Sequence, residues 1–153
     1  LEQPLPPGDE SVMANLQARY GVPIALDESL TDGARRPGGL FAKMVANWEG
    51  YCVLKPSLLG GSDTWTDVIR HKSPELKDKC IFSSAFETDV GIDALLQLAL
   101  ESGATLHALG LDTVAAFDDG LNTDLPGSII DFDPRARLAR AEAVWNRLDD
   151  EAN

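Results

Sequence analysis

Two carboxylates and one lysine occupy equivalent points of the sequence, each at the polar end of a short apolar run. Asp27 ends VPIAL, Lys55 ends YCVL, and Glu2 lies one repeat before Asp27. Carboxylate oxygens suit Mg²⁺, which keeps its remaining positions for water and substrate. A cation there can bind a substrate carboxylate and stabilise the charge that appears when its α-proton is removed. The residue types therefore predict metal-assisted chemistry on a small carboxylate.

Each of these residues also has a structural interpretation. Acidic residues at strand ends often cap the following helix, and this alternative stays open for Glu2 and for Asp27 taken singly. Lys55 lies between an apolar run and a proline, a poor place for an ordinary solvated charge, which favours a functional role. Ser83 is also interpretable as an ordinary strand-end serine, and Gly110 as a turn glycine.

Three further residue types have weaker claims on chemistry. Glu87 is equally well a ligand or the cap of the helix that follows it. His71 and His107 have no partner at metal-ligand spacing, so we interpret both as non-catalytic. Cys52 and Cys80 lie inside apolar stretches and are interpreted as buried, inert thiols.

The elements that position these residues form a repeat. The apolar runs VPIALDES, YCVLKPS, CIFSSAF and TLHALGLD have their polar ends at Asp27, Lys55, Ser83 and Gly110, at intervals of 28, 28 and 27 residues. Runs this short and apolar, separated by helices, are typical of parallel strands. Because catalytic groups of such proteins cluster at the carboxyl ends of the strands, these residues and Glu2 are predicted to share one edge of an α/β sheet.

The intervening segments predict the helices. One helix runs from Asp9 to the stop at Gly21, and Thr31–Gly39 is interpreted as a loop. Further helices are predicted at Leu40–Trp48, Asp63–Arg70 and Val90–Leu100, and after Asp112 the repeat breaks. A short strand at Ser128–Phe132 and a terminal helix beginning at Asp133-Pro134 complete the chain. About four strands and a stub are present, whereas a closed barrel needs eight.

Charge and composition exclude several partners. The net charge is -12, with 13 Lys and Arg against 25 Asp and Glu. Nucleic-acid binding depends on clustered basic residues, so this class of partner is not expected. No apolar run reaches the roughly 18 residues of a membrane span, and the first residues do not resemble a signal peptide. We expect a cytoplasmic protein that does not bind membranes.

The segments LEQPLPP, PIALDES, VLKPSLLGG, FSSAFETDVG and ALGLDT together resemble the enolase superfamily of mandelate racemase and muconate lactonizing enzyme, and within it the o-succinylbenzoate synthases. The resemblance implies that Glu2 and Asp27 are ligands of an essential Mg²⁺, with Mn²⁺ as the alternative, and that Glu28 is a neighbouring acidic residue around the metal. Lys55 matches the lysine that holds the enediolate electrostatically in the synthases and acts as an acid or base in the racemases. Ser83 and Gly110 match positions that contact the succinyl group.

The same resemblance implies a fold and a reaction. Residues 1–127 would be the second half of a (β/α) TIM-type barrel, and residues 128–153 a C-terminal strand and helix packed on the barrel or on the cap domain. The reaction would be dehydration of a 2-succinyl-6-hydroxy-2,4-cyclohexadiene-1-carboxylate to o-succinylbenzoate through an enediolate, a hydro-lyase step in menaquinone or phylloquinone biosynthesis. The alternatives are an N-acylamino acid racemase or dipeptide epimerase of the same superfamily, and a non-catalytic βα domain that binds a small acid or a protein.

The chain departs from that family in one respect. The first metal-ligand Asp and the K-x-K strand with the main base would lie before Glu2, and the cap domain that closes over the substrate is mostly absent. We therefore expect the isolated chain to be inactive and to need the N-terminal half of the barrel as a partner. A second copy of the chain is the other partner that exposed strand edges would attract.

Overall fold

The sheet at the centre of the structure is parallel and follows the order of the chain. A computed structural model describes residues 1–36, 39–60, 74–111, 113 and 133–151. Its strands are β1 (Ala25–Leu26), β2 (Tyr51–Leu54) and β3 (Cys80–Phe82), in the order β1-β2-β3. Single parallel bridges extend the sheet on both sides, from Glu2 to Ala25 and from Ser83 to Gly110. The predicted α/β fold with parallel pairing is confirmed.

Five α-helices accompany this sheet in the described residues. They are α1 (Glu10–Tyr20), α2 (Glu28–Arg35), α3 (Leu40–Asn47), α4 (Asp89–Ser102) and α5 (Pro134–Glu151), and two short 3₁₀ helices cover Pro56–Leu58 and Pro74–Lys79. The helix predictions for α1, α3, α4 and α5 are confirmed. The predicted helix Asp63–Arg70 and the predicted strand Ser128–Phe132 lie outside the described residues. None of the helices in these ranges is long and apolar enough to cross a membrane.

Helix α1 ends where the sequence predicts. Gly21 adopts the left-handed conformation at φ 65°, and its N–H donates to the Gln17 carbonyl at 2.9 Å. The left-handed conformation favours glycine, because glycine has no Cβ that would contact the last turn of the helix. At the other end Asp9 is the N-cap residue, but its side chain makes no capping hydrogen bond.

Helix α2 corrects the prediction of a loop at Thr31–Gly39. The first part of that segment is helical, because α2 continues to Arg35. A Cβ at Gly33 would lie 2.8 Å from the Met44 sulfur and 3.5 Å from the Phe41 nitrogen. The glycine therefore permits close packing of α2 on α3, and burial of Leu30 in the core stabilises the helix.

The two faces of the sheet have different environments. Side chains alternate between faces along a strand. One face carries five core residues that are at most 1% exposed: Leu26, Cys52, Leu54, Cys80 and Phe82. These belong to one apolar cluster with residues of α1 to α4, so the helices pack on this face. Ala25, Tyr51, Val53 and Ile81 point to the other face, where Tyr51 and Ile81 are only half-buried.

Contacts at the amino ends of the strands fix the sheet against α1 and α3. The Trp48 indole N–H donates to the Ile24 carbonyl at 2.9 Å, and Gln17 Oε1 accepts the Ile24 N–H at 2.7 Å. Gly50 is enclosed by these groups, since a Cβ there would lie 2.0 Å from the Ile24 oxygen. This end of the sheet is closely packed, whereas the predicted chemical groups lie at the other end.

Candidate active site

The carboxyl edge of the sheet collects the residues singled out by the sequence repeat. Asp27, Lys55 and Ser83 directly follow β1, β2 and β3. Glu2 and Gly110 extend the same row, because Glu2 pairs with Ala25 and Gly110 pairs with Ser83. All five predicted positions therefore lie on consecutive members of one parallel sheet.

Asp27 and Lys55 form an ion pair across β1 and β2. The Lys55 ammonium donates to Asp27 Oδ2, and the two side chains are 23% and 5% exposed. Leu26 pairs with Cys52, so Lys55 lies two residues beyond the position opposite Asp27 and projects from the same face. A carboxylate this deeply buried requires a charged or hydrogen-bonding partner, which the ammonium supplies.

The Asp27 carboxylate does not cap the helix that follows it. Asp27 is the N-cap residue of α2, yet its side chain makes no capping hydrogen bond. The capping alternative from sequence is therefore not what the structure shows for this residue. Its side chain is directed to Lys55 instead, and among the described residues its second carboxylate oxygen accepts no hydrogen bond.

Glu2 is exposed, and its carboxylate has no hydrogen-bonding partner within the described residues. Glu2 and Asp27 could together hold a cation that takes few protein ligands, as Mg²⁺ does. Across the described ranges, no group of three or more His, Cys, Asp or Glu residues converges. The donor set thus fits a largely hydrated Mg²⁺ or Mn²⁺ better than a fully protein-ligated structural Zn²⁺.

Ser83 and Gly110 are in direct contact. The Ser83 hydroxyl donates to the Gly110 carbonyl at 3.2 Å, and Gly110 N–H donates to the Phe82 carbonyl at 2.9 Å. A Cβ on Gly110 would lie 2.7 Å from Ser83 Oγ. Gly110 is therefore required for close approach of two strands and is not only a turn glycine.

Ser84 has a structural role that differs from that of Ser83. It is 4% exposed, and its N–H donates to the Gly110 carbonyl at 2.8 Å. Its hydroxyl is hydrogen-bonded to the Thr113 hydroxyl. Sequence reasoning did not identify Thr113, because no local pattern indicates a partner 29 residues away. Of the two serines, Ser84 is therefore buried in a structural contact, and Ser83 is half-buried at the carboxyl edge of the sheet.

Glu87 neither caps α4 nor joins the two predicted ligands. Its Oε1 accepts the Ser57 hydroxyl at 2.6 Å, and its Oε2 accepts the Ala85 N–H. Thr88 is the N-cap of α4. The turn fixed by Glu87 holds Phe86 at φ 65° with the ring 66% exposed. Phe86 thus has an unusual backbone conformation close to the carboxyl edge.

Glu28 and His107 make no hydrogen bond or ion pair with Asp27 or Lys55 in the part of the chain that the structure describes. Glu28 is the exposed first residue of α2, and its carboxylate has no partner among the residues described. His107 Nε2 is 2.8 Å from the Asp78 carbonyl, and its ring packs edge-on against Tyr51 with centroids 4.9 Å apart. Tyr51 begins β2, so His107 lies toward the amino ends of the strands. His71 is outside the described residues.

Cys52 and Cys80 are paired in register on the helix-facing side of β2 and β3. They are 0% and 1% exposed, which confirms that both are buried. Burial raises the pKa of the Cys52 thiol to about 12, although Lys79 acts in the opposite direction. Burial, with a further contribution from Cys52, also raises the pKa of Cys80. Thiols in this state are poor nucleophiles and metal ligands.

Sequence comparison finds curated relatives along most of the chain. It is 32% identical over 150 residues to the o-succinylbenzoate synthase of Thermosynechococcus vestitus, covering 97% of this chain and 40% of that protein. It is 34% identical over 119 residues to the enzymes of that name from Mycolicibacterium smegmatis and Mycobacterium tuberculosis, covering 78% of this chain and about a third of each relative. No family model and no solved structure gives a significant match.

Proposed function

We propose that this homologue of the o-succinylbenzoate synthases is the carboxyl-terminal half of a (β/α) barrel. The strands follow one another without reversal, whereas a doubly wound sheet reverses its strand order. Helices α1 to α4 pack on one face, as the outer ring of a barrel would, and the site residues project from the other. The N-terminal half and a cap domain would complete the barrel, since the chain spans only 33–40% of the relatives named above.

The proposed reaction is a dehydration that yields o-succinylbenzoate. The substrate is a 2-succinyl-6-hydroxy-2,4-cyclohexadiene-1-carboxylate, from which the α-proton and hydroxide are lost to leave an aromatic ring. This assignment rests on the names of the relatives and on the placement of Asp27 and Lys55 at the carboxyl edge of the sheet. The single observation that carries it is their ion pair, whose two side chains make no other hydrogen bond within the described residues.

Glu2 and Asp27 would hold Mg²⁺, with Glu28 nearby as a further acidic group. Bound there, the cation would neutralise part of the substrate carboxylate and so favour loss of the adjacent proton. Asp27 keeps the Lys55 ammonium at the edge, where its charge stabilises the negative charge that develops on the substrate carboxylate. The base that removes the proton would belong to the other half of the barrel.

Ser83 and Gly110 would bind the succinyl group. The Ser83 hydroxyl is half-buried and bonded to a carbonyl at 3.2 Å, so it can exchange that bond for one to a succinyl oxygen. Gly110 allows its segment to lie directly against Ser83, because a Cβ there would be 2.7 Å from Ser83 Oγ. Ser84, whose hydroxyl is bonded to Thr113, keeps the backbone of this segment in place.

The test is turnover by the intact polypeptide, after its mass has been measured. Purified protein is assayed with the cyclohexadiene substrate, with and without Mg²⁺, and in parallel for racemisation of an N-acylamino acid. If the mass corresponds to 153 residues, the N-terminal half is added as a second polypeptide. Mg²⁺-dependent formation of o-succinylbenzoate supports the proposal, while racemisation alone would replace it by the racemase.

A matched pair of lysine variants tests the site. Lys55→Met should lower kcat by about 100-fold or more, the scale of losing a group that stabilises developing charge. Lys79→Met is the control, because Lys79 donates to the Trp48 carbonyl at 3.0 Å and precedes β3 at the opposite end of the sheet. Equal activity of both variants would overturn the proposed role of Lys55.

A further inference from the structure

Gln3 connects the two predicted metal ligands, because it follows Glu2 in the chain and its side chain is hydrogen-bonded to the Asp27 N–H. It follows Glu2 directly, and its N–H donates to the Ala25 carbonyl at 2.8 Å. Its side-chain Oε1 accepts the N–H groups of Asp27 at 2.9 Å and of Ser29 at 3.3 Å. Its Nε2 donates to the Ser29 hydroxyl at 2.9 Å and to the Leu5 carbonyl at 2.7 Å. The amide thus has partners for both acceptor positions and both donors.

These bonds supply what the N-terminus of α2 needs. The first N–H groups of a helix have no partner within the helix, and the side chain of the N-cap residue commonly accepts one of them. Asp is among the most favoured residues at this position. In α2, however, Asp27 makes no capping bond, and the Ser29 N–H in the first turn is taken by Gln3.

The two tasks available to Asp27 compete for one carboxylate. A carboxylate that rotated toward the N–H groups of α2 would shift Oδ2, which is now bonded to the Lys55 ammonium. Ser29 is only 1% exposed, so its N–H would need a partner if Gln3 were absent, and this need would favour rotation of the Asp27 carboxylate toward α2. With Gln3 bonded there, the first turn places no such demand on Asp27.

We propose that Gln3 is a positioning residue that caps α2 in place of Asp27 and so keeps the Asp27 carboxylate directed to Lys55 and a bound cation. The part that concerns the cation rests on the proposed function. The backbone of Gln3 supports a specific role, because its φ of 31° is unfavourable for a residue other than glycine. The conformation is held by the backbone bond to Ala25 and by the hydrogen bonds of the side-chain amide.

The first experiment is a double-mutant cycle on unfolding in urea. Gln3→Met keeps the length of the side chain and removes its hydrogen bonds. In the unchanged protein Asp27 can replace the lost cap, so the unfolding constant should rise by about fivefold or less, a cap being worth roughly this much. In an Asp27→Ala background no replacement exists. Gln3→Met should then raise the unfolding constant by a factor about ten times as large as in the unchanged protein. An equal factor in both backgrounds would overturn the proposal.

A conservative variant and a matched control sharpen this result. Gln3→Glu retains an acceptor oxygen near α2 and should unfold more like the unchanged protein than Gln3→Met does. Gln17 is a second glutamine whose side chain accepts a backbone N–H, in this case that of Ile24, directly before β1. Gln17→Met removes this hydrogen bond. Its effect should be the same with and without the Asp27→Ala substitution. Coupling of Gln17 to Asp27 would show that the cycle does not report capping, and would overturn the proposal.

The second experiment measures binding of Mn²⁺ by electron paramagnetic resonance of the free ion, using the complete protein. Gln3→Met should weaken binding at least about tenfold, because Asp27 turns to α2, and Gln17→Met should leave it unchanged. Unaltered Mn²⁺ affinity in Gln3→Met would overturn the positioning role. If the unchanged protein binds no Mn²⁺, the proposed function fails, and the unfolding cycle alone decides whether Gln3 caps α2.

Discussion

Gly110 approaches Ser83 so closely that a Cβ at position 110 would lie 2.7 Å from the Ser83 hydroxyl oxygen and 3.1 Å from its Cβ. The two residues form the parallel bridge that joins the segment after α4 to the end of β3. This contact makes position 110 sensitive to size, independently of any turn conformation.

Gly110→Ala should therefore destabilise the protein by about 1–3 kcal/mol, the usual cost of an added methyl group in a closely packed position. Adding Ser83→Ala removes the nearest atom and should recover part of that loss. Unfolding in urea of the two single variants and the double variant measures the coupling. Strict additivity would show that the strands simply separate and that the contact is not tight.

The ion pair of Asp27 and Lys55 should also show coupling. Lys55→Met leaves a carboxylate buried without its cation, which typically costs about 3–5 kcal/mol. We expect the lower end of that range, because the lysine side chain is 23% exposed. Asp27→Asn in the same chain should remove much of the cost, as no charge is then buried. A double variant as unstable as the sum of the single variants would contradict the pairing.

Stability should fall at alkaline pH because of the buried thiols. The pKa of Cys52 is raised by burial to about 12 in the folded protein, against about 8.5 in an unfolded chain. The unfolded state therefore releases its proton first, and the free energy of unfolding decreases as pH rises above about 8.5 and levels off above about 12. Urea unfolding of Cys52→Ala beside the unchanged protein, from about pH 7 to about pH 11, measures this contribution. Parallel pH profiles would show that the thiol remains equally acidic on folding.

Phe86→Gly should stabilise the protein by about 1 kcal/mol, because φ 65° is unfavourable for a residue with a Cβ and normal for glycine. Little packing is lost, since Phe86 is 66% exposed. Phe86→Ala is the control that removes the ring and keeps the strained backbone. Thermal unfolding of the three proteins distinguishes the effects, and equal stability of the Gly and Ala variants would exclude relief of backbone strain.

The positions of Asp27, Lys55, Ser83 and Gly110 could be predicted because one repeat governs both pattern and fold. An apolar run buried in a parallel sheet ends where the chain meets the edge, so its first polar residue lies there. The interval between runs reflects the length of one βα unit. The polar residue at each strand end and the length of each βα unit are local properties, so they can be read from the sequence.

Helix α2 and Gln3 could not be predicted in the same way. Helix α2 is stabilised by burial of Leu30 in the core and by close packing of Gly33 on Met44, and the local sequence pattern does not reveal either contact. Gln3 acts on residues 24 and 26 positions away, and nothing in Glu2-Gln3-Pro4 indicates which backbone groups its amide will meet. Both features depend on tertiary placement, which periodicity does not encode.

The order β1-β2-β3 has a consequence for how the protein forms. Each strand pairs with the strand of the preceding unit, so every loop closed during folding is about as long as the one before it. Units can then dock one after another as the chain leaves the ribosome, without waiting for a distant segment. The Asp27–Lys55 pair requires only that β2 has joined β1, because no residue of α4 takes part in it.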